Sequence, residues 1–133
     1  MNASMEFCGN SIVIRDFVHS IEDEQGGNPY NCSFSIRVVS GEFSGLASGC
    51  ECDYKEFKEF VTQLSELVDF KRSEVEFREI GYGSVLKFVG DERGHIEVSG
   101  KIYGKAMIHS MEFEFVTDQT VYKSFINELS TFE

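Results

Sequence analysis

The chain has 133 residues and a formal net charge of −11, with 23 acidic and 12 basic side chains. This excess of carboxylates disfavours nucleic acids and anionic membranes as partners, because affinity for phosphates depends on Lys and Arg displacing counterions. A basic protein partner remains compatible with it. The 13 Phe and the single Pro indicate a folded chain with an aromatic core. The length predicts one domain over residues 1–133.

The sequence carries no recognisable targeting, membrane or metal signal. Residues 1–10 lack a basic region followed by an apolar run, so we expect no signal peptide. No stretch approaches the ~20 apolar residues that cross a membrane, and we expect a cytoplasmic protein. The Cys residues suit that compartment, where thiols stay reduced. Cys50 and Cys52 lack a second Cys/His pair at ligand spacing, so we expect neither a metal nor a cofactor.

The N-terminal third predicts antiparallel strands. A strand pair turns at Gly9-Asn10, and residues 21–30 read as a loop rich in turn-forming residues. Strand 31–40 alternates apolar and polar side chains, with Cys, Phe, Ile and Val on its inner side. Strand 42–52 has small inward residues, which suggests that another element, most naturally a helix, presses closely against it.

Two amphipathic helices and four more strands follow. The first helix spans about 53–69 with Asp53 as its N-cap, and the second about 118–131 with Asp118 as its N-cap. The last two strands alternate around a tight turn at Gly104-Lys105. We therefore predict an α+β fold, an antiparallel sheet of about eight strands in meanders with both helices packed on it.

Catalytic candidates are limited to three His. His19 ends a strand beside an acidic run, and His95 begins a strand on its outer face. His109 falls on the same face as Met111 and Phe113, which favours a core or core-edge imidazole with one hydrogen bond. The sequence contains no nucleophile elbow and no phosphate-binding loop. We therefore do not expect the chain to be an enzyme. Catalysis would need a deep pocket that holds one of these His together with a carboxylate.

Segments in both halves of the chain carry a resemblance to a known family. The N-terminal ones are Ser-Ile-Val-Ile-Arg (11–15), Asn-Cys-Ser-Phe-Ser-Ile-Arg-Val (31–38), Gly-Glu-Phe-Ser-Gly (41–45) and Tyr-Lys-Glu-Phe-Lys-Glu-Phe (54–60). The C-terminal ones are Gly-His-Ile-Glu-Val-Ser-Gly-Lys-Ile (94–102) and Phe-Glu-Phe-Val-Thr-Asp-Gln-Thr (113–120). Over 11–132 the layout resembles the small immunity proteins of the WapI type, found in bacterial polymorphic toxin systems. The resemblance implies a non-enzymatic protein that binds and neutralises a cognate toxin domain.

Exposed acidic clusters are the predicted contacts with such a toxin, because toxins that attack nucleic acid present a basic cleft. These clusters are Glu22, Asp23 and Glu24 in the loop, Asp91 and Glu92 in a turn, and Glu112 and Glu114 on one strand face. The alternative is a small intracellular regulatory or adaptor module that binds another protein, for instance through an exposed sheet edge. A toxin-like gene directly upstream would favour the immunity role.

Overall fold

The computed structural model describes all residues, 1–133, and contains two four-stranded antiparallel sheets. Each sheet is a meander whose strands lie in chain order. The first sheet consists of β1 Asn2–Phe7, β2 Asn10–His19, β3 Cys32–Ser40 and β4 Phe43–Cys52. The second consists of β5 Glu74–Arg78, β6 Val85–Gly90, β7 His95–Tyr103 and β8 Ser110–Asp118. The predicted α+β class with about eight strands is confirmed, although the strands form two sheets where one was expected.

The helices are α1 Ile21–Gln25, α2 Tyr54–Val68 and α3 Tyr122–Leu129. The helix α2 confirms the one predicted over 53–69, and Asp53 caps it as expected. The Asp53 carboxylate accepts a hydrogen bond from the backbone N–H of Lys55 at 3.1 Å, which satisfies one of the donors that a helix start leaves free. No helix of the structure combines the length and the apolar character that crossing a membrane requires.

The other two helices differ from the prediction. The helix expected over 118–131 begins only at Tyr122, because Asp118 caps a 3₁₀ turn, Gln119–Val121, that precedes it. The short helix α1 lies in a stretch where only a loop was predicted. It forms because the Ser20 hydroxyl accepts from the backbone N–H of Asp23 and so caps its first turn.

Aromatic side chains join both sheets to α2. The Phe57 and Phe60 rings of this helix are buried. The Phe60 ring centroid lies 4.5 Å from that of Phe77 in the second sheet, and the Phe57 centroid lies 4.8 Å from that of Phe17 in the first. Each fully buried ring contributes about 1.5–3 kcal/mol through removal from water. The helix α2 therefore holds the two sheets in a fixed relation.

Glycines in β4 allow the second sheet to approach closely. A Cβ at Gly49 would lie 2.6 Å from the Tyr82 ring, and one at Gly45 would lie 2.8 Å from the Met111 sulfur. Neither distance leaves room for a side chain without displacement of its neighbour. The element that presses on β4 is thus the second sheet with its β5–β6 loop, and the expectation of a helix there was wrong.

A buried glutamate links the two sheets. The Glu79 side chain is fully buried. All the hydrogen bonds that its carboxylate accepts come from backbone N–H groups. Four N–H groups donate to its carboxylate, those of Glu51 at 2.9 Å, Gly81 at 2.6 Å, Tyr82 at 3.1 Å and Ser84 at 2.7 Å. Because Glu51 belongs to β4 and the other donors belong to the β5–β6 loop, this carboxylate shapes the loop and ties it to the first sheet.

The β7–β8 connection is longer than the tight turn predicted at Gly104-Lys105. Tyr103 and Ser110 are the last paired residues, and a 3₁₀ turn lies between them. Within it Ala106 and Met107 both have positive φ, 58° and 61°, which interrupts strand alternation. His109 is consequently exposed, so its prediction as a core imidazole was wrong.

Candidate partner-binding surface

The acidic run at 22–24 lies on α1, beside the first sheet. Glu22 and Asp23 point into solvent. Glu24 has a structural contact, because its Oε1 lies 3.1 Å from Nε2 of His19. The His19 ring is stacked 4.0 Å from the Tyr54 ring and its side chain is only 6% exposed. Of the three predicted contact residues on α1, two are therefore free for a partner.

The predicted turn at Asp91 and Glu92 connects β6 to β7. The Asp91 carboxylate accepts from the backbone N–H groups of Arg93 at 2.7 Å and His95 at 3.0 Å, and it lies 3.2 Å from His95 Nδ1. Partial desolvation acts to raise the pKa of Asp91, but these hydrogen bonds outweigh it and hold the pKa below its ordinary value. Both carboxylates are exposed, but Asp91 builds the turn, and Glu92 is the one that has no ion pair within the chain.

The outer face of the second sheet, called the acidic face below, is open to solvent and mostly charged. Strand alternation and register place these charged side chains on it: Glu74, Glu76, Arg78, Lys87, Glu97, Lys101, Glu112 and Glu114. Each basic residue has an acidic neighbour, Lys87 with Glu74 at 3.8 Å, Arg78 with Glu76 at 3.9 Å and Lys101 with Glu112 at 3.6 Å. The predicted contact Glu112 is thus already ion-paired.

Two carboxylates of the acidic face form no ion pair with a basic side chain, Glu97 on β7 and Glu114 on β8. Glu114 lies directly opposite Ser99 in the strand register. Glu97, two residues before Ser99 on β7, is therefore the diagonal neighbour of Glu114 on the same face. A hydrogen bond shared with Glu114, and the repulsion of its charge, raise the pKa of Glu97 above the ordinary value. The two acids are thus close neighbours on the acidic face, and neither has an ion pair within the chain.

Exposed aliphatic side chains flank the pair. Val89 on β6 and Val116 on β8 lie directly opposite Glu97 in the strand register, one on each side, and both are exposed, by 37% and 52%. The arrangement suits a Lys or Arg whose charge meets the carboxylates while its stem or a neighbouring apolar residue covers the valines. Sequence reasoning named Glu114 but missed Glu97, which only the strand register could have revealed.

The three His do not converge on a catalytic arrangement. His19 pairs with Glu24 but lines none of the five main clefts, and the same is true of His95, which pairs with Asp91 on the surface. His109 lines a cleft of about 160 Å³ that has no carboxylate in its lining. None of the five main clefts thus brings a His together with a carboxylate.

The cysteines at 32, 50 and 52 are buried in the first sheet. Cys32 and Cys52 are cross-strand partners, and the contact with Cys32, together with burial, raises the pKa of the Cys52 thiol. Burial and the charge of Glu79 raise the pKa of Cys50 to about 12. The thiols of Cys50 and Cys52 are therefore protonated at neutral pH. All three buried Cys act as small apolar side chains. No group of three or more His, Cys, Asp or Glu has the geometry to hold a metal ion.

Comparisons with known proteins place the chain in a family. A search of the curated proteins and a search of the solved structures each return no match. The model of the immunity protein WapI-like family matches residues 11–132, which includes β2 from its second residue, the six later strands and all three helices. The family supports a role as an immunity protein and implies, in general terms, a toxin as partner. The chain belongs to the immunity protein WapI-like family.

Proposed function

We propose that this chain is a non-enzymatic immunity protein that binds a cognate toxin domain through the acidic face and blocks it. The observation that carries the proposal is the strand register, which makes Glu97 and Glu114 neighbours on an open surface where two carboxylates repel each other and neither has an ion pair within the chain. Such repulsion costs stability in the free protein and is relieved when a Lys or Arg of a partner lies against both groups. Family membership supports the immunity role independently.

The charge of the whole chain supports the same kind of partner. A net charge of −11 attracts a basic domain from a distance and orients it during encounter. Glu22, Asp23 and Glu92 remain candidate contacts at the rim, because they are exposed and take part in no ion pair within the chain. Glu24, Asp91 and Glu112 are weaker candidates, since each already has an internal partner.

Capture of the partner tests the proposal. The tagged protein is recovered from its own host, and the proteins bound to it are identified by mass spectrometry. We expect a basic toxin-like domain encoded beside this chain, and we expect coexpression of the chain to restore growth of cells that produce the domain. Recovery of only unrelated regulatory proteins, or failure to protect cells from the captured domain, would contradict the immunity role and favour an adaptor.

A further inference from the structure

A cleft of about 450 Å³ lies between α2 and β5, at the β5 edge of the second sheet. Its apolar lining includes the Phe60 and Phe77 rings, which stack on each other. Carboxylates stand along both sides, Asp53, Glu56 and Glu59 from the helix and its cap and Glu76 from the strand. Arg78 is the one basic side chain in the lining, and it is ion-paired with Glu76. The cleft is therefore a groove with a buried aromatic floor and a strongly acidic rim.

The strand on one side of this cleft has an unpaired backbone edge. At the two ends of β5, the backbone hydrogen bonds with the β6 side are made by odd-numbered residues. The Ser73 carbonyl accepts from the Gly90 N–H, and the Glu79 N–H donates to the Ser84 carbonyl. Strand alternation then directs the N–H and C=O groups of Glu76 and Arg78 away from β6. Outside the regular pairing, no backbone hydrogen bond involves either residue.

Just beyond β5, the same side of the backbone already forms a hydrogen bond with another strand of the chain. The backbone N–H of Ile80, two residues beyond Arg78, donates to the carbonyl of Glu51 in β4 at 2.7 Å. Pairing along this side of the chain is therefore geometrically possible, and it stops where the cleft opens. Free edges of this kind accept extended segments of other chains, with backbone bonds for affinity and side-chain pockets for specificity.

We propose that this cleft binds an extended basic segment of the partner protein, which adds a strand to the β5 edge. Its Lys or Arg side chains on the cleft side extend along the groove, and their charges meet Glu56 and Glu59. Charge complementarity selects this occupant, because a second copy of the chain would bring another acidic rim to the groove. The proposal rests on the proposed function for the identity of the partner, but the chemistry of the cleft can be tested without the toxin.

The test uses a short acetylated and amidated peptide of alternating Val and Arg, titrated into isotope-labelled protein and followed by NMR. We expect saturable shifts confined to α2 and β5, and slower hydrogen exchange of the Glu76 and Arg78 amides in the complex. The double variant Glu56→Lys, Glu59→Lys reverses exposed helix charges and should weaken the peptide by about tenfold. The matched control Glu6→Lys, Glu42→Lys makes the same charge change on the first sheet and should retain wild-type affinity.

Equal weakening in both double variants, or shifts spread over the whole surface, would overturn the cleft assignment and indicate nonspecific attraction. Unchanged exchange of the Glu76 and Arg78 amides at saturation would overturn strand addition. A peptide of alternating Val and Glu should cause no shifts, and binding of that peptide would refute charge selection. If the toxin is captured and the Val-Arg peptide fails, only the cleft proposal is lost. If the peptide binds and no toxin is captured, only the proposed function is lost.

Discussion

Two glutamates show opposite uses of a carboxylate in this protein. Glu79 is buried, and four backbone N–H groups satisfy it. Glu97 is exposed and lies beside another carboxylate that raises its pKa. The first arrangement stabilises the fold at the junction of the sheets. The second costs stability and makes sense as part of a surface that is completed by a cation from outside.

Glu79→Gln should destabilise the protein by about 3 kcal/mol. Each carboxylate oxygen accepts two N–H groups, so the amide would turn its NH2 group toward two of these donors and leave them unsatisfied. Urea denaturation measures the loss, with Glu92→Gln on the exposed turn as the control that should leave stability unchanged. A loss below about 1 kcal/mol would show that the loop does not depend on this carboxylate.

Glu97→Gln should raise the melting temperature at neutral pH. The pKa of Glu97 in the folded protein lies above the ordinary value of 4.5. Protonated Glu97 therefore stabilises the fold, fully below that ordinary value, and this stabilisation is lost as pH rises through the folded-state pKa. The melting temperatures of variant and wild type should therefore converge below about pH 4. Glu112→Gln is the control, because it removes the partner of Lys101 and should give no gain at neutral pH. A destabilised Glu97→Gln would mean that the pair is not repulsive.

At the residue scale, alternation of apolar and polar side chains predicted which strand positions are buried. It placed Ile96, Val98 and Ile102 inward, and all three are buried. It could not predict the role of Glu79, because the donor Glu51 lies 28 residues earlier and only the tertiary fold brings them together. It failed at His109 because two consecutive residues of positive φ precede it.

At the scale of elements, local signals were sufficient where they were strong. The helix α2 was predictable because an N-cap and a long apolar periodicity coincide. The helix α1 was missed, although Ser20 followed by Asp23 is a capping signal, because the turn-forming residues after it dominated the interpretation. The division into two sheets had no local signal, since it depends on whether β4 and β5, the strands on either side of α2, pair with each other.

Asp53→Ala tests the capping of α2. The substitution removes the acceptor of the Lys55 N–H and of the Asn31 side-chain amide, which lies at 3.3 Å. We expect a loss of about 1–2 kcal/mol in the free energy of unfolding, measured by urea denaturation. Asp53→Asn keeps a side-chain oxygen at the cap and should lose less than half as much. Equal losses in both variants would mean that the charge, and not the hydrogen bond, is what matters.

For the whole molecule, the charge of −11 should govern the rate of encounter with a basic toxin domain. Screening at physiological salt limits such attraction to about 8 Å, so the association rate should fall at least about tenfold between low and high ionic strength. Stopped-flow measurements over a salt series would show this, with sucrose at matched viscosity as the control. An association rate independent of salt would exclude electrostatic steering.

The acidic face was only partly predictable from the sequence. Strand alternation placed Glu112 and Glu114 together on an outer face, which the structure shows, but it could not separate the ion-paired Glu112 from the unpaired Glu114. Ion pairing depends on neighbours in β7 that only the register supplies. For the same reason the sequence alone did not distinguish the acidic clusters on α1 and in the β6–β7 turn from the acidic face.

Comparison of matched charge reversals tests the acidic face as the toxin-binding surface most directly. The dissociation constant of the captured toxin domain is measured for Glu97→Lys, Glu114→Lys and for the control Glu6→Lys, Glu42→Lys, which has the same net charge. Repulsion at a contact predicts at least about a hundredfold weakening for the first variant and no more than about threefold for the second. Equal dissociation constants in the two variants would contradict binding through this face.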